Sequence, residues 1–424
     1  MNLTDQFRNT IKKENLGSED AYLPTYETGL NVLDYTNGRK DPETGEITVG
    51  IDGGKITTII GKSGTGKTTL AIQMATNIVE PYENGQIVHY DFERATTKNR
   101  IQSLSEWQSS KIKDKYILLK SDIYAERFYK GVKALARLKL KNKEDLELDT
   151  GKVDDEGNPI KVLPPTVVIL DSLAVMSPEH IENEEELSGG MSASAVAKVN
   201  TSIFKRIPSF LNDANIILLV VNHITKKIEI GFNKTKAEIN YLKQDENVPG
   251  GKAPLYLSNY LIKLETGSKL KPDKKFYVKG FEITGKFIKS RSTAAGVTFD
   301  SVFDQINGYD NILSNYQLLD DTGRISGSAW KSLDGYEGSF RMNEVREKYN
   351  EEKEFREQFD KLAQEELENL IPEPKILSQQ KNLDYDEEND LWIDNSGEET
   401  VYYKEDEDTG EFIGVEVEIE EDSE

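Results

Sequence analysis

The chain has no cysteine among its 424 residues and only three histidines, His89, His180 and His223. Without thiols there is no disulfide, thiolate metal site or cysteine nucleophile, so oxygen, nitrogen and a bound metal must carry any chemistry. No apolar run approaches the length that spans a bilayer, and the first residues resemble no secretory signal. We therefore expect a cytoplasmic protein without membrane contact.

Positive charge is also scarce, because 53 Lys and Arg stand against 76 Asp and Glu, a net charge of -23. This balance argues at first against a nucleic-acid partner. The excess acid is concentrated near the C-terminal end, in LDYDEENDLWIDNSGEET and EDEDTGEFIGVEVEIEEDSE. Blocks of like charge resist compaction, so residues 372–424 are predicted to form a disordered tail. Such a tail either maintains solubility or mimics DNA and competes for a basic groove.

The apolar segments predict an α/β fold. Short runs rich in β-branched residues alternate with helical or polar stretches: QIVHYDFE, KYILLK, PTVVILDSLAV and ANIILLVVNHI. This alternation favours a mostly parallel, buried central sheet. We predict an N-terminal helical arm over residues 1–28, a core over 29–300 and a small C-terminal domain over 301–371. Residues 139–163 read as an inserted hairpin or mobile loop without chemistry.

The strongest motif is a complete G-x-x-x-x-G-K-[ST] between a predicted strand and a predicted helix. Its residues are Gly61, Lys62, Ser63, Gly64, Thr65, Gly66, Lys67 and Thr68, with Thr69 following. Glycines let backbone N–H groups turn inward around phosphates, and the helix N-terminus adds positive potential. Lys67 is predicted to meet the outer phosphates and Thr68 to ligate Mg²⁺. The motif predicts that the protein binds ATP with Mg²⁺.

Two further strands end in carboxylates. VVIL is followed by Asp171, which is predicted to hold the water shell of the same Mg²⁺. QIVHYDFE ends in Asp91 and Glu93 at the strand end nearest the nucleotide. Phosphoryl transfer needs mainly positioning and charge compensation, so one Glu beside the metal suffices as a general base. Glu93 is our candidate for that base.

With these motifs the chain resembles the RecA-like recombinases, and most closely their phage UvsX-type members. GKSGTGKTTL is similar to the family P-loop, YDFE to the strand with the catalytic glutamate, and VVILDSLAVMSP to the Walker B strand. The resemblance implies that His223 in VVNHI senses the γ-phosphate. It also implies that Lys289 and Arg291 in GKFIKSRSTAAG reach the γ-phosphate of a neighbouring subunit. Arg100 occupies roughly the place of the family's adenine-stacking aromatic residue.

The same resemblance implies two DNA-binding loops, over about 177–191 and 224–250. The candidate DNA-contacting residues are Met191, Lys198, Lys226, Lys227, Ile228, Phe232, Lys234 and Lys236. Lysines that meet phosphates and apolar side chains that insert between stacked bases suit sequence-independent binding of single strands. The N-terminal arm would pack on the adjacent subunit, and the C-terminal domain would admit duplex DNA.

These features favour an ATP-dependent recombinase that forms a helical filament on single-stranded DNA and pairs it with homologous double-stranded DNA. Recombination mediators and a single-strand-binding protein are its expected partners. The main alternative is a RecA-like ring-forming replicative helicase. A non-motor regulator or annealing protein that uses ATP as a clamp is a third possibility, and a small-molecule kinase is the least favoured.

Overall fold

The computed structural model describes residues 6, 22–41, 44–154, 157–182, 192–226, 240–270, 280–372, 384–386, 391–394, 401–405 and 412–415. By their contacts the residues divide into two units, one of residues 1–38 with 49–371 and one of 39–48 with 372–424.

The strands in the described residues, in chain order, are β1 (Thr25–Tyr26), β2 (Arg39–Lys40), β3 (Ile47–Thr48), β4 (Ile51–Asp52), β5 (Ile56–Gly61), β6 (Gln86–Asp91), β7 (Tyr116–Leu119), β8 (Leu148–Val153), β9 (Pro159–Val162), β10 (Thr166–Asp171), β11 (Ile216–His223), β12 (Thr225–Lys226), β13 (Glu246–Asn247), β14 (Tyr260–Lys269), β15 (Gly280–Lys289), β16 (Thr298–Asp304), β17 (Gly308–Asp310), β18 (Ile325–Ser326), β19 (Ser332–Leu333), β20 (Asp384–Asp386), β21 (Leu391–Asp394), β22 (Val401–Glu405) and β23 (Phe412–Val415).

The helices in the same residues are Asn31–Thr36, Lys67–Val79, Lys98–Ser105, Ser109–Lys115, Ala125–Lys141, Lys143–Leu146, Glu179–Glu182, Ser192–Asp213, Ala253–Leu257, Asn311–Asp321, Val345–Glu351 and Lys353–Glu368, with a 3₁₀ turn at Met342–Glu344. None of the helices within the described ranges has the length and apolar character needed to cross a membrane.

A nine-stranded sheet dominates the larger unit, in the order β17-β16-β15-β14-β5-β11-β10-β6-β7. The strands from β14 to β7 pair in parallel, whereas β15, β16 and β17 add antiparallel strands at one edge. The predicted α/β class with a mostly parallel sheet is therefore confirmed. β5, β10 and most of β11 are buried along their length, since helices cover both faces.

The two faces of the sheet carry separate apolar clusters. One cluster includes Ile59, Ile169 and Leu219 with the helix Lys67–Val79. The other includes Val168, Leu218 and Phe204, the last from the helix Ser192–Asp213. Because neighbouring residues of a strand point to opposite faces, each central strand contributes to both clusters. This packing fixes the strand ends at which the candidate site lies.

The antiparallel edge leads directly into the C-terminal helices. β16 crosses residue 300, so the predicted boundary between core and C-terminal domain falls inside a strand of the central sheet. The helices beyond it share a small apolar cluster that contains Tyr316, Phe355 and Phe359. A boundary drawn from composition alone therefore cuts through β16, which pairs in the central sheet and leads to the C-terminal helices.

The insertion and the tail contain regular structure. In the predicted insertion 139–163, β8 and β9 form a hairpin, but the preceding residues are helical. Within 372–424, predicted to be disordered, the described residues form an antiparallel sheet β20-β21-β22-β23. Its register pairs Trp392 with Tyr403. Aromatic and β-branched residues, which favour strands, lie between the acids of this segment, and a prediction from net charge alone overlooks them.

Candidate nucleotide site at the carboxyl ends of the parallel strands

The P-loop joins the end of β5 to the helix Lys67–Val79. Gly64 and Gly66 have positive φ angles of 82° and 77°, which favour residues without a Cβ. A Cβ on Gly61 would lie 2.7 Å from the Thr65 hydroxyl and 2.8 Å from the Leu264 carbonyl. The Tyr309 hydroxyl donates to the Thr65 carbonyl at 3.0 Å and so connects β17 to the loop. The loop therefore has the tight, glycine-dependent backbone that a phosphate-binding loop requires, and phosphate binding by it stays a prediction.

Lys67 lies at the base of this loop. Its Nζ donates to the carbonyl of Lys62 at 2.8 Å, and the residue is 5% exposed. Burial lowers the pKa of Lys67, while the carboxylates of Glu93 and Asp171 act in the opposite direction. The cation is thus held beside the loop, within the field of two acids.

The strand end of β10 brings Asp171 to Thr68. The Thr68 hydroxyl donates to Asp171 Oδ2 at 2.8 Å, although the two residues are 103 positions apart. Asp171 is 2% exposed, and its Oδ1 has no hydrogen-bond partner among the described residues. A buried carboxylate oxygen without a donor, next to a hydroxyl, fits the ligand chemistry of Mg²⁺, which prefers oxygen. These two side chains are suited to hold that ion together with nucleotide phosphates.

Glu93 and His223 form a direct contact. His223 Nε2 lies 2.8 Å from Glu93 Oε1, and both side chains are about one third exposed, at 29% and 31%. The backbone N–H of Phe92 donates to the Asp171 carbonyl at 2.6 Å, which ties the end of β6 to the end of β10. Asp91 accepts hydrogen bonds from the N–H of Thr96 at 2.9 Å and of Ala95 at 3.3 Å. Asp91 thus shapes the turn that presents Glu93.

Lys67, Thr68, Glu93 and His223 line one cleft of about 630 Å³, together with Val221 and four further side chains that the sequence analysis missed. The four are Thr266, Phe281, Phe303 and Gln305. They come from β14, β15, β16 and the turn after β16, and no motif marks them. Only the pairing of the antiparallel edge strands with β5 through β14 brings them to the P-loop.

Arg100 lies at the edge of the P-loop helix. Its guanidinium donates to the Ile306 carbonyl and, at 3.4 Å, to the Thr69 hydroxyl. Burial lowers the pKa of Arg100, and the Asp304 carboxylate opposes this shift. The contact places the guanidinium between the P-loop helix and the turn after β16. Its predicted stacking on adenine stays a prediction.

Lys289 and Arg291 lie together, away from the residues that line the cleft. Both donate to the Tyr256 carbonyl in the helix Ala253–Leu257, Arg291 at 2.9 Å. Burial and the neighbouring Arg291 lower the pKa of Lys289 to about 8. Their predicted action on the nucleotide of another subunit stays a prediction.

The predicted DNA-contacting residues are only partly described. Lys198 is exposed on the helix Ser192–Asp213, and Lys226 is exposed in β12. Six candidates lie outside the described residues: Met191, Lys227, Ile228, Phe232, Lys234 and Lys236. In the predicted N-terminal arm, residues 1–28, only Gln6 and residues 22–28 are described, and Thr25–Tyr26 form the short strand β1 where a helix was predicted. The rest of the arm, with its proposed packing on an adjacent subunit, lies outside the described residues.

A buried amide network joins the cleft to the return of the second predicted loop. Asn222, next to His223, donates to the Pro249 carbonyl at 2.7 Å. Asn200 on the helix Ser192–Asp213 donates to the Gly250 carbonyl at 3.1 Å. Gly250 has a φ of 95°, and a Cβ there would lie 2.8 Å from Leu173. The return of the second predicted loop is therefore held by Asn222, next to His223, and by the helix that follows the first predicted loop.

Comparison with known proteins supports the class that this geometry suggests. A family model described as an AAA domain matches residues 37–228, which hold the P-loop, Glu93 and Asp171. Protein RecA of Aquifex aeolicus (strain VF5) is 23% identical over 277 residues, which cover 64% of this chain and 63% of that protein. The match thus spans less than two thirds of its relative. Together with the sheet and the P-loop, these findings support a RecA-like P-loop ATPase family.

Proposed function

We propose that the protein is a DNA-dependent ATPase that polymerises on single-stranded DNA and catalyses homologous pairing and strand exchange. The observation that carries the proposal is the hydrogen bond between Glu93 and His223 at the cleft, one residue from the Asn222 amide that reaches the stem of the second predicted loop. In this proposal a change at the nucleotide reaches the second predicted loop through these two hydrogen bonds.

In this proposal Lys67 and the P-loop backbone bind the phosphates of ATP, and Thr68 and Asp171 hold Mg²⁺. When bound, Mg²⁺ neutralises phosphate charge and orients the leaving oxygen. Glu93 accepts a proton from the attacking water, and His223 holds the Glu93 carboxylate on one side. Arg100 binds near the adenine base of ATP.

Lys289 and Arg291 are proposed to act on the nucleotide of a neighbouring subunit in a helical filament. Their hydrogen bonds to the Tyr256 carbonyl hold both cations in one place, and neither lines the cleft of its own subunit. Cations supplied in trans would make hydrolysis depend on correct assembly. Lys289 must carry its proton in this role.

The predicted DNA loops would bind the strand through lysine contacts to phosphates and apolar insertion between bases, so base pairing with the homologous duplex supplies specificity. ATP binding would stabilise the filament and hydrolysis would release it. We place this activity in the cytoplasm, of the host if the protein is viral, with recombination mediators and a single-strand-binding protein as partners. The proposal includes a relationship to the phage UvsX-type recombinases.

The decisive experiment combines an ATPase assay with electron microscopy, each with and without single-stranded DNA in ATP and Mg²⁺. We expect DNA-stimulated turnover together with extended helical filaments. Closed rings would instead favour the ring-forming helicase, and turnover indifferent to DNA would reject both functions. A strand-exchange assay on homologous and non-homologous duplexes then separates a recombinase from a protein that only coats DNA.

A further inference from the structure

A buried pair of titratable side chains lies behind Asp171, and the proposed mechanism gives it no role. His89 in β6 is 0% exposed and Tyr116 at the start of β7 is 6% exposed. The hydroxyl of Tyr116 lies 2.8 Å from His89 Nδ1. On its other side His89 Nε2 lies 3.8 Å from Asp171 Oδ2.

The strand register creates this row of three side chains. β6 pairs in parallel with β10 on one side and with β7 on the other, which sets His89 opposite Ile169 and Leu118. Residues two apart on a strand share a face, so His89 and Asp171 point to the same side of the sheet. That side is the one covered by the P-loop helix.

The hydrogen bond to Tyr116 selects the tautomer of His89. Burial, with the carboxylates of Asp171 and Asp91, raises the pKa of Tyr116 well above its ordinary value, so the hydroxyl keeps its proton. When that hydroxyl donates to Nδ1, the imidazole proton resides on Nε2 and faces Asp171. The opposite tautomer would direct a lone pair at the carboxylate, which is repulsive.

Two buried atoms in this row have no hydrogen-bond partner among the described residues, His89 Nε2 and Asp171 Oδ1. At 3.8 Å the Nε2–Oδ2 separation is longer than a hydrogen bond, so the imidazole acts on the carboxylate as an oriented dipole. Unpaired buried polar atoms are costly, and they concentrate where a group has a functional partner. The carboxylate is thereby held between the Thr68 hydroxyl and the imidazole.

We propose that His89, oriented by Tyr116, is a positioning residue that fixes the Asp171 carboxylate for the divalent cation bound with nucleotide. Removing a side chain that orients a metal ligand commonly changes the affinity of the site for the metal. The inference rests on the nucleotide and metal site of the proposed function. It is independent of DNA binding and of strand exchange.

The test measures binding of a non-hydrolysable ATP analogue by calorimetry across a Mg²⁺ series and in EDTA. His89→Leu removes the N–H that faces Asp171, so the Mg²⁺ concentration for half-maximal binding should rise about tenfold. Affinity in EDTA should stay unchanged. His89→Gln keeps an N–H at a similar reach and should recover most of the Mg²⁺ affinity.

Tyr116→Phe keeps the ring and removes only the hydroxyl, so it should shift the Mg²⁺ requirement in the same direction, and it carries the test if His89→Leu does not fold. The matched control is Tyr90→Phe, because Tyr90 lies next to His89 in β6 but packs into the cluster on the opposite face of the sheet. It should leave the Mg²⁺ requirement unchanged.

An unchanged Mg²⁺ requirement in both variants, or an equal loss with and without Mg²⁺, would overturn the positioning role while the nucleotide site stands. If the unmodified protein itself binds no nucleotide, or binds it without regard to Mg²⁺, the proposed site fails and this inference fails with it.

Discussion

At the scale of single residues, the site depends on side chains that are distant in the chain and adjacent in space. Glu93 and His223 are separated by 130 positions and share a hydrogen bond of 2.8 Å. Each was predicted for a separate role, as base and as sensor. Their contact means that a shift of His223 changes the position of the carboxylate directly, without an intermediate residue.

Glu93→Gln is expected to lower ATP turnover at least about a hundredfold, since a general base contributes that much or more. The amide keeps the shape and can still bond to His223, so nucleotide-dependent DNA binding should be retained. Steady-state phosphate release and DNA binding by fluorescence anisotropy check both parts. Glu83→Gln, an exposed acid in the turn before β6, is the control. Normal turnover by Glu93→Gln would exclude this residue as the base.

Lys139 is a second residue-scale feature, remote from the cleft. It is 6% exposed, and its Nζ donates to the carbonyls of Pro164 at 2.7 Å and Asn215 at 3.2 Å. Burial lowers the pKa of Lys139 to about 7 from an ordinary value of 10.5. Between these pH values the unfolded chain binds a proton that the folded protein has released, so stability rises with pH in this window.

Lys139→Met should remove this pH dependence. From about pH 7 to pH 10 the free energy of unfolding should therefore rise more in the unmodified protein than in the variant. Urea denaturation at several pH values measures it. Lys141 is exposed at the end of the same helix, so the free energy of unfolding of Lys141→Met should change with pH as it does in the unmodified protein. If the free energy of unfolding of Lys139→Met also changes with pH in that way, the amine is not neutral in the folded state near pH 8.

At the scale of elements, the parallel strands place their carboxyl ends at one edge, and backbone hydrogen bonds connect those ends. The N–H of Leu173 donates to the Val221 carbonyl at 3.0 Å, and the N–H of Ile224 donates to the Gly61 carbonyl at 3.1 Å. The ends of β5, β10 and β11 are therefore coupled by backbone as well as by side chains.

The helix Ser192–Asp213 joins this edge through Asn200. Asn200→Ala would remove the donor to the Gly250 carbonyl and loosen the return of the second predicted loop. We expect nucleotide affinity within about twofold of normal and a loss of most of the enhancement of DNA binding by nucleotide, since a hydrogen bond of this kind is worth about 1 kcal/mol. DNA binding with and without a non-hydrolysable ATP analogue tests this.

Ser202→Ala, an exposed change on the same helix, controls for helix propensity. Full nucleotide enhancement in Asn200→Ala would show that this amide does not couple the site to the loop.

At the scale of the whole molecule, charge is strongly divided along the chain. Residues 372–424 hold 20 acidic and 3 basic side chains, a net charge of -17 out of the total of -23. The remaining 371 residues are therefore close to balance, which removes the electrostatic objection to a DNA partner. We propose that a segment with this charge competes with nucleic acid for exposed basic groups.

Removing residues 373–424 should strengthen DNA binding, most at low salt, because screening weakens the competition as ionic strength rises. Anisotropy titrations of the full and the shortened chain at several salt concentrations measure the effect. A variant of the full chain with the acids of residues 405–408 changed to amides should lie between the two. Identical affinities at every salt concentration would leave the segment a role in solubility alone.

The sequence by itself determined the parts of the site that are contiguous. The P-loop needs glycines at positions with positive φ, and Gly64 and Gly66 stand there within a single motif. The alternation of apolar runs predicted the parallel sheet, since burial on both faces requires such runs. The strand ends at Asp171 and Asp91, the latter two residues before Glu93, could be predicted for the same reason.

Tertiary structure alone decided which distant residues meet. Phe281 and Phe303 line the cleft because β15 and β16 extend the sheet on the antiparallel side, a pairing that no local pattern encodes. His89 and Tyr116 look like ordinary strand residues until register sets them behind Asp171. Local motifs depend on backbone geometry within a few residues, whereas these contacts depend on strand order and register, which the packing of the whole core selects.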